Sequence, residues 1–323
     1  MGSDMSVAIR VMNVEDISDV KRVDLLSWGE LMGSRYPEVK VFPSRTDMNI
    51  LSYIRSDREG ALVAVDSSAG VIGSSFSHVW GRTGWVGPVS VLPSYQGRGV
   101  GKELVKESIA YLERRGCTDI GLETMPESAV SLGMYLRIGL RPAGLVLAMA
   151  RPLADDDDLE EVQGGVAVER LSESRAKDRL LPQLRALSGA VQPGLDYSPE
   201  VALTDEHSFG DTLIALKRGR LAAFAVVHTV PRREGMEAAS VRVLAADRSL
   251  GDTPLESLLS SAELMAVDAR SREISVPVPA AYHRVSDVLL SRGYSVLQTY
   301  ERMMWSGSPG VGPGAVNLCS WSG

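Results

Sequence analysis

The sequence predicts a mixed α/β (α+β) protein built from two tandem domains, and three observations lead there. Its 323 residues exceed the roughly 100–200 residues usual for one domain. An acidic run, Asp155 to Asp158 with Glu160 and Glu161 ahead of Gly164 and Gly165, lies near the middle of the chain. It reads as a solvated linker, because adjacent like charges repel and resist burial. Helix-like and strand-like segments then follow a similar order on either side. The predicted division is a first domain at 7–153, the linker at 154–165, a second domain at 166–305, and a tail at 306–323 rich in Gly, Ser and Pro.

In the first half, 8–12 reads as a short strand. Residues 16–32 have helical spacing, with Val20, Val23, Leu26 and Leu31 as apolar positions. A second helix is expected at 47–56 and a strand at 61–65. Strands at 70–79 and 85–91 flank Gly81-Arg82-Thr83-Gly84, which is good turn chemistry. The helix at 101–115 carries one stripe of Leu104, Val105, Ile109 and Leu112 and stops at Gly116. A strand at 119–124, a helix at 128–137, an exit through Gly139-Leu140 and a strand at 144–150 complete the half. The second half offers strands at 220–229 and 237–244, a helix at 255–269, a strand at 273–276, a helix at 282–291 and a strand at 294–304. Leu136-Arg137-Ile138-Gly139-Leu140 and Leu290-Ser291-Arg292-Gly293-Tyr294 are both a helix end, a glycine and an apolar strand entry. An internal repeat of one fold is the economical reading.

Composition narrows the class. Hydrophobic residues make up 44%, charged residues 23%, and mean hydropathy is +0.00, as expected of a folded globular chain. No apolar stretch is long enough to span a membrane, and no secretory leader pattern is evident. Two cysteines, Cys117 and Cys319, form no disulfide framework and suit a reducing, cytoplasmic setting. The four histidines are scattered without metal-ligand spacing, so no metal is expected. The net charge of −7 is local: 1–153 holds 17 basic and 17 acidic residues, 154–165 six acidic and no basic, and 166–323 17 basic and 18 acidic. Neither half has the basic excess of a nucleic-acid binder.

The motif with the most chemistry starts where an extended apolar run through Val89, Ser90 and Val91 ends at Pro93. Gln96-Gly97-Arg98-Gly99-Val100-Gly101 follows, and a helix opens directly behind, with Lys102 in its first turn. Alternating glycines bring backbone N–H groups close together, and a helix start adds unbonded N–H groups and a positive dipole end. That is a seat for a phosphate or pyrophosphate. A dinucleotide fold would place the loop after the first strand of a parallel unit, with an acidic residue about 20 further on. Glu123 has that spacing, but several strands precede the loop. A P-loop needs Gly-Lys-Ser/Thr, whereas Gly101-Lys102 is followed by Glu103.

The segment from Val89 to Leu104 resembles the acetyl-CoA motif of the GCN5-related N-acetyltransferase (GNAT) family: a strand, then Gln/Arg-x-x-Gly-x-Gly/Ala, then a helix. The stretch 128–140, with Met134-Tyr135 and Gly139-Leu140, resembles the family's second signature. The resemblance covers about 7–153, and 166–305 resembles a diverged copy. There Ala245-Ala246-Asp247-Arg248-Ser249-Leu250-Gly251 keeps one glycine, and Asp247 would repel a pyrophosphate. The fold implied is two acyl-CoA N-acyltransferase-like domains, each a mostly antiparallel central sheet flanked by helices.

The resemblance implies that acetyl-CoA or another short-chain acyl-CoA is the co-substrate, without a metal. Its pyrophosphate would sit on the Gln96–Gly101 loop, and its pantetheine arm along Val89, Ser90 and Val91, whose backbone would also polarise the thioester carbonyl. The amine acceptor attacks directly. Tyr135 matches the family tyrosine that faces the sulfur, a plausible proton donor. The strand before the loop, Gly84-Trp85-Val86-Gly87-Pro88, lacks the carboxylate found in many relatives. Glu123 and His78 are the candidate bases, and a water relay is the third option. Trp28, Tyr36, Trp80 and Trp85 are candidates for the acceptor pocket. The expected activity is acyl transfer to the primary amine of a small molecule, in a monomer or homodimer, with no membrane or nucleic-acid partner. The alternatives are a CoA-binding regulatory or scaffold protein without turnover, and a protein or peptide N-acetyltransferase.

Overall fold

The computed structural model describes residues 7–35, 42–154, 166–247, 253–310 and 315–319. The first half runs β1 (Val7–Val11), α1 (Ile17–Arg35), α2 (Asp47–Ser56), β2 (Leu62–Asp66), β3 (Gly70–Trp80), β4 (Thr83–Val91), α3 (Val100–Arg114), β5 (Asp119–Thr124), α4 (Ala129–Ile138) and β6 (Arg141–Pro152). The second half repeats the order with β7 (Val166–Arg170), α5 (Lys177–Val191), α6 (Ser198–Glu206), β8 (Gly210–Lys217), β9 (Arg220–His228), β10 (Ala238–Asp247), α7 (Thr253–Asp268), β11 (Glu273–Pro279), α8 (His283–Ser291) and β12 (Ser295–Ser306). It then adds β13 (Ala315–Cys319). Sequence patterning assigns no element between 166 and 219, where β7, α5, α6 and β8 lie. Pro182 inside α5 obscures a helix whose Leu180, Leu184 and Leu187 form its buried stripe.

Local chemistry accounts for the helices around the site. Thr46 caps α2 by accepting from the Asn49 N–H at 3.2 Å. α3 buries Leu104, Val105, Ile109 and Leu112 on one side and exposes its charged residues on the other.

The expectation of two domains with separate sheets is corrected. The strands form one sheet in the order β1-β2-β3-β4-β5-β12-β6-β11-β10-β9-β8-β7, with β13 on β10. The halves have exchanged their last strands: β12 pairs antiparallel with β5, β6 pairs antiparallel with β11, and β6 and β12 pair with each other between them. Each exchanged strand supplies the hydrogen bonds that its partner's β5 or β11 edge would otherwise leave open. The cores join as well. Trp80 and Trp85 of the first half pack in one cluster with Leu180, Leu184, Tyr197 and Phe224 of the second. Burying an aromatic of roughly 200 Å² stabilises by at most about 5 kcal/mol, so these two side chains bind the halves strongly.

The acidic stretch 155–165 lies outside the described residues. The segment expected to be a tail instead contributes β13. It pairs antiparallel with β10, from Val243 opposite Cys319 to Asp247 opposite Ala315. Val316 and Leu318 are buried, and the Tyr197 hydroxyl donates to Asn317 Oδ1 at 2.7 Å.

Candidate functional site

The site is built where β4 leaves β5. The two strands run parallel and paired from Thr83 opposite Asp119 to Val86 opposite Leu122. Beyond Val86, β4 continues beside β3, with Val89 opposite Ser75, Ser90 opposite Ser74 and Val91 opposite Gly73. β5 instead continues beside β12, with Glu123 opposite Arg302 and Thr124 opposite Glu301. The strands therefore part near Gly87. Among the described residues no strand pairs with the β5-facing edge of Val89, Ser90 and Val91. This leaves a slot whose wall can hydrogen-bond an extended amide-bearing ligand.

The glycine loop closes one end of the slot. The Gln96 side chain donates to the Val91 carbonyl at 3.1 Å, so Gln96 ties the loop to β4. Gly97 and Gly99 have φ of 73° and 89°, and Gly99 is the N-cap of α3. A Cβ at either would meet nothing within 4 Å, so glycine is required there by backbone conformation and not by space. Gly101 lacks a positive φ, and a Cβ there would sit 3.5 Å from Val91 Cγ2 and 3.7 Å from Met134 Sδ, which is ordinary contact. Val100, Gly101 and Lys102 open α3, and their N–H groups precede the first intrahelical acceptor. The Arg98 guanidinium lies 5.3 Å from the centroid of the Tyr95 ring, and Lys102 is exposed on the first turn. Backbone donors and a helix start thus meet at the loop, with two cationic residues on it, a setting that suits an anion.

Tyr135 of α4 packs with Val86, Leu122 and Leu140, beside the last paired rung of β4 and β5. Burial pushes its phenol up to about 12, so it is protonated at neutral pH and able to donate.

The other two predicted proton carriers are corrected. Glu123 is not available as a base. Its side chain is fully buried and its Oε1 accepts from Arg302 Nη2 at 2.7 Å and Nε at 3.1 Å. Arg302 also donates to the carbonyls of Pro309 and Cys319 and lies over the Trp85 ring. The pair fastens β5 to the exchanged strand and to the chain end. His78 is buried between Tyr53 and Trp80, and its Nε2 donates to the Gly87 carbonyl at 2.9 Å. Burial lowers its pKa to about 4, so it is a neutral anchor for the point where β4 departs.

The aromatic expectation also changes. Trp85 and Trp80 are 3% and 2% exposed and belong to the core between the halves, although Trp80 borders an internal cavity. Trp28 stacks on Phe42, with ring centroids 6.2 Å apart. Tyr36 lies outside the described residues. Sequence reasoning missed Arg302 because its role depends on a strand exchange between positions 179 residues apart. Among the described residues there is no group of three or more His, Cys, Asp or Glu able to hold a metal ion, and no helix is long and apolar enough to cross a membrane.

Residues 26–140 match the model of the acetyltransferase (GNAT) family. That stretch is therefore similar to a GNAT-family acetyltransferase domain, and the fold is a mixed α/β sheet flanked by helices, consistent with that architecture. In sequence, the chain is 36% identical over 56 residues to N-alpha-acetyltransferase 30 of Saccharomyces cerevisiae, a match over 17% of this chain and 32% of that relative. The chain thus spans about a third of the length of that curated relative. In structure, it is similar to a Pyrococcus horikoshii protein described as an acetyltransferase, with a TM-score of 0.69 at 14% identity over 100% of this chain and 97% of that one. It is also similar to a tandem GNAT protein from the clavulanic acid biosynthesis pathway, with a TM-score of 0.63 at 14% identity over 94% and 99%.

Proposed function

We propose that the chain transfers an acetyl or other short acyl group from acyl-CoA to the free α-amine of a peptide or protein. The observation that carries the reading is the open β4 edge leading into the Gln96–Gly101 loop at the start of α3. In this reading acyl-CoA supplies the activated acyl thioester. The β4 edge at Val89, Ser90 and Val91 holds the pantetheine amides. The N–H groups of Gly97 to Lys102, with the Arg98 and Lys102 side chains, hold the pyrophosphate. Tyr135, protonated at neutral pH, donates toward the departing sulfur.

Two considerations turn the acceptor from a small-molecule amine toward a chain terminus. The stretch of likeness to a yeast N-alpha-acetyltransferase is one. The other is acid–base chemistry. Glu123 and His78 are both committed to structure, so proton removal falls to water. An α-amine, with a pKa of about 7.7–8.0, is partly neutral in solution, whereas a lysine amine near 10.4 needs a base.

We read 166–305 as a diverged copy without a working CoA seat. β10 parts from β11 after Ser240, as β4 parts from β5, but β13 lies along the freed edge from Val243 to Asp247. The predicted loop beyond Asp247 lies outside the described residues. Incubating the full chain with acetyl-CoA and peptides tests the acceptor assignment by mass spectrometry. N-terminal products should form, a pre-acetylated N-terminus should block them, and acetylation confined to lysine would refute the reading.

A further inference from the structure

A partly enclosed cavity of about 120 Å³ lies between the halves, apart from the slot described above. Asn49 and Tyr53 of α2 line it from one side, and Glu200, His228, Arg232 and Arg242 from the other. Tyr53 faces Asn49 and Arg232 across it. Even so, among the described residues Tyr53 Oη, Arg232 Nη1 and His228 Nδ1 make no hydrogen bond of full geometry, and neither does Arg45 Nη2 close behind. Tyr53 and His228 are 6% and 4% exposed.

The charges do not balance either. Among the described residues, Arg232, Arg242 and Arg115 line the cavity with Glu200 and Asp57, and Arg45 and Arg233 lie behind it with Asp24. Asp24 binds Arg45 at 3.0 Å and Arg233 at 2.9 Å, and Glu200 lies 3.6 Å from Arg242. Asp57 and Arg115, at the far rim, pair with each other. The field is visible on Tyr53. Burial alone would raise its phenol, yet Arg45, Arg242 and Arg232 bring it below its ordinary value. Burial and then Arg242 lower Arg232 to about 10. Water could satisfy the donors but would leave the excess positive charge uncompensated.

The acceptors in the same cavity narrow the choice of anion. Thr204 Oγ1 donates to the Glu200 carbonyl at 2.8 Å, so it accepts from His228 Nε2 at 2.9 Å. Burial, with Arg242 and Arg232, holds the His228 pKa well below its usual value, so the ring is neutral. Its Nδ1 is then a bare lone pair. The Glu200 carboxylate is a second acceptor and would repel an anion that brings no proton. Guanidinium and phenol donors beside two acceptors fit an oxyanion that is charged and still carries an O–H.

We propose that this cavity between the halves is a binding site for phosphate that retains a proton, with inorganic phosphate as the ligand that fits its volume of about 120 Å³. The phosphate oxygens accept from Arg232 and Tyr53, and its P–OH donates to His228 Nδ1 or Glu200, with Arg45 adding positive charge from behind Asn49. A bound phosphate bridges α2 of one half and α6, β9 and β10 of the other.

The test is calorimetric titration and thermal melting of the full chain at pH 7, at ionic strength held constant with chloride. Inorganic phosphate should bind saturably at one site per chain and raise the melting temperature. Sulfate, which has no proton at this pH, should bind at least tenfold more weakly. Glycerol phosphate, which is bulkier and less protonated at this pH, should bind more weakly, and tighter binding than inorganic phosphate would overturn the assignment. Arg232→Gln should weaken phosphate at least tenfold. Tyr53→Phe, which keeps the ring packed against Phe76 and His78, should weaken it about threefold to tenfold. No saturable binding, equal effects of phosphate and sulfate, or unchanged affinity in the folded variants would overturn the proposal. Each readout is independent of acyl transfer.

Discussion

At the scale of single residues, the site separates groups that do chemistry from groups that hold it in place. Tyr135 is the proton donor of the account, so Tyr135→Phe should lower kcat about 100-fold while leaving acyl-CoA affinity within about twofold. Steady-state kinetics and equilibrium titration check the two halves of that statement. His78 is a placeholder, and its signature is in stability. Its folded pKa of about 4 lies below the value of about 6.5 of an unfolded histidine. The unfolded state therefore binds the extra proton between those values, and stability falls as pH drops. Between pH 7 and pH 4.5 His78 should cost about 2–3 kcal/mol, with a further loss of the same sign from His228. Urea unfolding at the two pH values should show the slope, and His78→Gln should reduce it. The glycines of the loop were readable in the sequence because a positive φ demands that residue type. The fates of Glu123 and His78 were not, because a side chain's partner is set by the strand opposite it. Glu123 looked free until Arg302 was placed across from it by the exchanged strand.

At the scale of elements, the β4–β5 fork and the β10–β11 fork tell one story. Parallel strands that share only a few rungs diverge, and the open edge must be covered. In the first half no described strand covers it, and the proposed function assigns it to acyl-CoA. In the second half β13 covers it, and the segment that reads as a Gly- and Pro-rich tail carries a buried strand within it. Sequence patterning saw the punctuation around that strand and not the strand, since five residues show little alternation. The Glu123–Arg302 pair holds β5 to β12 with both side chains nearly inaccessible. Removing one partner of a buried pair strands the other charge, so Arg302→Met should cost about 3–5 kcal/mol. The double replacement Glu123→Gln with Arg302→Met should cost less than the single one. Denaturant titration of the set measures this, and a double variant less stable than Arg302→Met would contradict the pairing.

At the scale of the whole molecule, the repeat of element order is legible in the sequence. Its consequence was not, because strand exchange changes no local pattern. One sheet with a shared core means that the halves are not separable. A chain of residues 1–153 lacks the strand that pairs with β5 and exposes Trp80 and Trp85, so it should fail to show a cooperative unfolding transition, whereas the full chain should show one. The central claim is that the Gln96–Gly101 loop and the open β4 edge serve acyl-CoA-dependent transfer. It is tested most directly by thiol release from acetyl-CoA in the presence of a peptide with a free N-terminus, with Gly99→Val alongside. Gly99 has φ of 89°, where a β-branched residue is strained, so the variant should distort the seat while leaving the distant core intact. Release should saturate in both substrates and fall at least 100-fold in Gly99→Val. Acetyl-CoA binding without release, or a Gly99→Val variant as active as the parent chain, would contradict the claim.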